Sequence, residues 1–135
     1  MGDLIGHWPL AGNAGNRAAA DLQSSPADIE FGHAGPDGKP DTAAAFNGRS
    51  SCIEIADHPA LDLGQDDFSI TAWVNSDADR HDVVGSILSK YDPELRRGMH
   101  LYIATNDGVT SAALANARQL SFGIDDARAD QTWAD

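Results

Sequence analysis

The stretch at 66–76, "DDFSITAWVNS", holds the cleanest alternation in the chain. Phe68, Ile70, Ala72 and Val74 recur at period two and so share one face of a β-strand, while Ser69, Thr71, Trp73 and Asn75 share the other. Trp73 stands out among its polar neighbours. Burying an indole removes roughly 150–250 Å² from water, worth on the order of 4–6 kcal/mol as an upper value. Against a net domain stability of roughly 5–15 kcal/mol, that gain favours Trp73 packed beneath a loop or a terminal strand over Trp73 stacked on a sugar. Trp8 poses the same choice, and Pro9 beside it points to an edge position.

Outward from this strand, thirteen Gly, six Pro and many Asp punctuate short apolar runs, and no long 3.6-residue period appears. Strands are expected at Leu4 to Leu10, around Ile29 to Phe31, and at Ala43 to Phe46, Cys52 to Ile55, Phe68 to Asn75, Ser86 to Lys90, Met99 to Thr105 and Leu120 to Ile124. Turns separate them at "GPDGKPD" (35–41), "FNGRS" (46–50) and "TNDGV" (105–109), the last reading as a hairpin. The segment "TSAALANARQ" (110–119) is read as non-helical because it lies between two strand-like runs. Short strands divided by turns, without alternating helices, predict an all-β sandwich or barrel. In a sandwich, Phe68, Ile70, Ala72 and Val74 would form an inner row.

The chain has 135 residues, a length that suits a single domain burying roughly two-thirds of its unfolded surface. With 21 acidic against 9 basic residues its formal charge is −12, and the sequence pI is near 4.5. That balance opposes phosphate backbones and anionic membrane surfaces, so nucleic acid is excluded as an expected partner. Cys52 is the single cysteine and forms no internal disulfide. No run reaches transmembrane length, so no membrane insertion is expected, and the opening "MGDLIGHWPLAG" has neither a signal-peptide pattern nor a myristoylation site, Gly6 standing where Ser or Thr is needed.

Taken in order, "GHWPLAG" (6–12), "AAFNGRSSCIEI" (44–55), "HPALDL" (58–63), "DDFSITAWVN" (66–75), "ILSKYD" (87–92) and "GMHLYI" (98–103) resemble a laminin G-like domain of the concanavalin A-like lectin and glucanase superfamily. The resemblance spans most of residues 4–104. It implies a jelly-roll β-sandwich of two antiparallel sheets, with 1–135 as one such domain. The chain ends at "DQTWAD", ahead of the later strands of that family, so the expectation is the N-terminal part of a longer, incomplete sandwich within a larger multidomain chain. Calcium as a cofactor is implied by the resemblance alone, and "GNAGNRAAADL" (12–22) departs from the family's Asp-x-Ser-Gly-like turn. An extracellular or cell-envelope location follows from the same resemblance.

Glucanase relatives of this fold carry a Glu-x-Asp-x-x-Glu strand whose alternation aims acids into one cleft, and retaining hydrolysis needs two carboxyl groups about 5 Å apart. Here "CIEIADHPA" offers Glu54 and Asp57 at an odd spacing, on opposite faces of a continuing strand, with no second Glu. Glu54 reads as a solvated outward residue and Asp57 as a turn former. Asp77, Asp79 and Asp82 do not meet the EF-hand template, since Asp82 and Leu88 occupy the places of its Gly and Glu. His7, His33, His58, His81 and His100 are scattered without a zinc-like pair. Neither a phosphate-cradling glycine loop nor a nucleophile elbow is present.

The expected function is therefore a non-catalytic module that recognises a glycan or an extracellular protein. Its loop candidates for ligand binding are Asp77, Asp79, Asp82, Tyr91 and Asp92, in and beside the 77–82 and 91–98 loops. Alternatives are a fragment of a carbohydrate-active enzyme whose catalytic residues lie elsewhere, and a structural spacer.

Overall fold

The computed structural model of the chain describes residues 3–64, 66–76, 85–104 and 119–126. Within them the protein is all-β: seven strands form antiparallel ladders, α-helix is absent among the described residues, and one 3₁₀ turn spans Pro59–Leu61. No helix among these residues is long and apolar enough to cross a membrane. The chain divides into two compact units, Met1–Asn75 and Ser76–Asp135.

In the first unit, β1 (Ser24–Ala27) pairs with β4 (Cys52–Ile55), and β2 (Glu30–His33) pairs with β3 (Ala43–Ala45). Strand β4 follows its alternation, with Ile53 and Ile55 half-buried and Cys52 and Glu54 exposed. Opposite it, Pro26 faces Ile53. A two-stranded ladder consists of edges, where a residue without an N–H is tolerated. Strand β2 carries a bulge at Gly32, whose φ of +95° lies in a region that disfavours side chains. The loop from β2 to β3 is closed by Gly38 N–H donating to the Gly35 carbonyl at 3.0 Å and Gly35 N–H donating to Thr42 Oγ1 at 2.9 Å. Beside it the Lys39 ammonium, 2.8 Å from Asp37, holds that carboxyl below its ordinary value.

Carboxamides organise the remaining turns. Asn47 Oδ1 accepts the N–H groups of Arg49, Ser50 and Ser51 at 2.8, 2.9 and 3.1 Å. Ser51 Oγ in turn donates to the Asp28 carbonyl at 2.5 Å, linking this turn to the connection between β1 and β2. Asn16 is the corresponding hub of the N-terminal loop: its Oδ1 accepts from His7 N–H at 2.8 Å and Ala18 N–H at 3.1 Å, and its Nδ2 donates to the Ala20 carbonyl at 2.6 Å. Ala14 and Leu22, which flank it in sequence, are the buried apolar side chains among the described residues. Trp8 is half-buried and donates its indole N–H to Ser24 Oγ at 2.8 Å. A Cβ on Gly6 would run into the outer carbons of that ring, so close approach requires glycine there.

Two expected strands are absent. Residues 4–10 form no ladder: Pro9 has no N–H, and Leu10 adopts φ +55°, so backbone pairing is limited to Arg17 N–H donating to the His7 carbonyl at 2.8 Å. Residues 67–76 also carry no regular structure, and the expected inner row is not sealed. Phe68 is 37% exposed, Val74 51% and Trp73 87%, with Ile70 half-buried, so packing of Trp73 is corrected to exposure. Alternation selects the face that a strand would bury; it does not supply the neighbouring strand whose amides close a ladder.

The second unit is one antiparallel sheet in the order β5–β6–β7, formed by Gly85–Asp92, Arg97–Ala104 and Gln119–Asp126. The β5–β6 connection is a tight hairpin in which Asp92 Oδ1 accepts the N–H groups of Glu94 and Leu95 at 2.9 and 3.0 Å. Ile87 is the extra residue of a bulge in β5. The expected hairpin at 105–109 and most of 110–119 lie outside the described residues.

Replacing Asn16 by Ala removes two acceptor contacts and one donor contact from a partly buried loop, so chemical denaturation followed by circular dichroism is expected to show a loss of about 1–3 kcal/mol.

Candidate functional site

Register sorts the second unit's side chains into two faces. Leu88 faces Leu101, which faces Phe122; Met99 faces Ile124, and Ile103 faces Leu120. Residues directly opposite in an antiparallel ladder point the same way, so these seven make one apolar face. On β7 that face is open, with Leu120 68%, Phe122 49% and Ile124 63% exposed.

The other face is polar and aromatic. Across the three strands, one row runs Tyr91, Gly98, Asp125; the next runs Ser89, His100, Gly123; and a third begins with Ser86 and Tyr102. His100 and Tyr102, two apart on β6, stack with ring centroids 4.5 Å apart and planes inclined by 27°. Ser86 Oγ lies 2.9 Å from His100 Nε2, in a hydrogen bond whose direction follows the imidazole tautomer. These contacts hold the imidazole against the sheet and leave the aromatic pair half-buried.

The two glycines shape the surface between these side chains. Gly98 has φ +116°, and a Cβ there would overlap the Lys90 carbonyl oxygen, so backbone geometry alone demands glycine. Its bare position lets Tyr91 reach across the central strand, donating its hydroxyl to Asp125 Oδ2 at 3.4 Å. Arg96 Nε, at the hairpin end, lies 3.4 Å from the same oxygen. Both distances are long for hydrogen bonds, so the pair orients the carboxylate without saturating it. At Gly123 an added Cβ would meet no atom within 4 Å, leaving open space beside His100.

Of the loop candidates, Asp77, Asp79 and Asp82 lie outside the described residues. Tyr91 belongs to the polar face. Asp92 does not: its carboxylate closes the hairpin, and it stands at an apolar-face register position opposite Arg97. Sequence reasoning read His100 as one of five scattered histidines and did not single out Ser86, Tyr102 or Asp125 as site residues. The signal for two of them was present, since His100 and Tyr102 alternate with Met99, Leu101 and Ile103 in "GMHLYI".

Elsewhere, Glu54 lies on the exposed side of β4, and Asp57 follows that strand's end. His58 Nδ1 accepts from Ala60 N–H at 3.1 Å and caps the 3₁₀ turn, while His33 pairs with Glu30 at 3.3 Å. Among the described residues, no three His, Cys, Asp or Glu side chains are grouped to hold a metal ion. No family model matches the chain, and neither the curated proteins nor the solved structures contain a match.

Substituting Gly98 by Ala forces a Cβ into the Lys90 carbonyl at a positive φ. The expected cost is about 1–3 kcal/mol of stability in denaturant titration, with loss of the Tyr91–Asp125 proximity seen as changed Tyr91 ring shifts in NMR.

Proposed function

We propose that this chain is a non-catalytic recognition module whose ligand is a glycan, bound on the polar face of β5–β6–β7. The observation that carries this reading is the joint presence of an aromatic pair, His100 on Tyr102, with the open position at Gly123 and hydrogen-bonding groups on the same face. Sugars present flat C–H surfaces rimmed by hydroxyls. A stacked ring pair suits the first, and Ser86, Tyr91 and Asp125 suit the second. The apolar residues of this sheet lie on its reverse side, away from this polar face.

The reverse side bears on the fold. An apolar row as exposed as Leu120, Phe122 and Ile124 is what a second sheet covers in a sandwich, the layout that the sequence resemblance to laminin G-like domains implies. On that reading the module belongs to a larger extracellular or envelope protein.

The test is a glycan array probed with the full chain in the presence of calcium, followed by titration calorimetry on whatever saccharide scores. Saturable binding is expected, and Tyr102→Ala is expected to weaken it about three- to tenfold while the circular dichroism spectrum is retained. A blank array removes the glycan reading. Turnover of the bound saccharide would instead mark an enzyme.

A further inference from the structure

We propose that the glycan recognised on this face is electrically neutral, and that Asp125 is the residue that selects it. The inference rests on the glycan reading and adds the class of sugar. Asp125 is held in place on the polar face, its side chain 26% exposed, with Tyr91 and Arg96 both directed to Oδ2. No contact to Oδ1 is present among the described residues. An ionised carboxylate only accepts hydrogen bonds, so Oδ1 offers itself to a donor, and sugar hydroxyls are donors. The carboxylate stands beside Gly98, one row from the His100–Tyr102 stack, so a sugar lying on the rings can turn its hydroxyl rim toward Asp125.

An acidic sugar meets the opposite situation. Its carboxylate or sulfate would approach Asp125 as a like charge, in a chain whose formal charge is already −12. Among the described residues, Arg96 is the cation paired with this carboxylate, and it is drawn to Asp125 itself, which offsets its charge locally. The other basic residues of the sheet, Lys90 and Arg97, stand at register positions of the apolar face, opposite Met99 and Asp92 respectively. Among the described residues, the polar face therefore presents no further cation to receive an anionic ligand.

The experiment is calorimetric titration of the full chain with two sets of probes at low and physiological salt. One set is neutral: gluco-, manno-, xylo- and galacto-oligosaccharides. The other is acidic: tetragalacturonate and a heparin tetrasaccharide. Binding is expected for at least one neutral probe with little salt dependence, and affinity for the acidic probes is expected to be lower by about tenfold or more. Asp125→Asn should weaken the neutral interaction about tenfold and narrow the gap between the sets. Arg96→Gln, at a side chain 65% exposed, should widen that gap by leaving the carboxylate without its cation. Thermal melts of both variants separate lost binding from lost folding. Acidic probes binding as tightly as neutral ones, or tighter, overturns this proposal while leaving the glycan reading standing. Failure of both probe sets on the folded chain overturns the glycan reading and this selection with it.

Discussion

The antiparallel register of β5, β6 and β7 is the constraint from which the properties of the second unit follow. Side chains alternate along a strand, so the pairing of Leu101 with Phe122 and of His100 with Gly123 decides at once which residues are oily neighbours and which form a wet surface. A slip by one residue on β7 would exchange the two sets. The apolar set is energetically heavy. Covering a side chain such as Leu, Phe or Ile is worth about 1.5–3 kcal/mol each, and Leu120, Phe122 and Ile124 together reach the scale of a domain's net stability, roughly 5–15 kcal/mol.

Much of the all-β character was legible in the order of residues. Short apolar runs between turn residues located β2 through β7, and Cys52–Ile55 coincides with the expected strand. The misses have distinct causes. Strand β1 has no apolar alternation and contains Pro26; it exists because β4 lies alongside it, a long-range condition that local pattern does not express. Residues 68–75 have the opposite problem. Their pattern is the strongest in the chain, yet a pattern describes one strand and a ladder needs two.

The candidate site was less legible, for a related reason. Tyr91 was noticed as a neighbour of a loop, and Asp92 with it, although one faces the polar side and the other spends its carboxylate on turn amides. Asp125 is 34 residues from Tyr91, and only the registers on either side of Gly98 bring them together. His100 and Tyr102 were within reach of sequence reasoning, since a histidine and a tyrosine two apart in a strand must share a face.

The surplus residue Ile87 in β5 settles a conflict written into the chain. Counted backward from Tyr91 in strict twos, Ile87 would stand beside the aromatic pair and Ser86 would be turned into grease. One additional peptide unit resets the phase, so Ser86 returns to His100 while Leu88 keeps its place against Leu101. The oily doublet Ile87–Leu88 is thereby accommodated without spoiling the hydrophilic side, and the irregularity acts as an index mark that permits only one alignment of these strands.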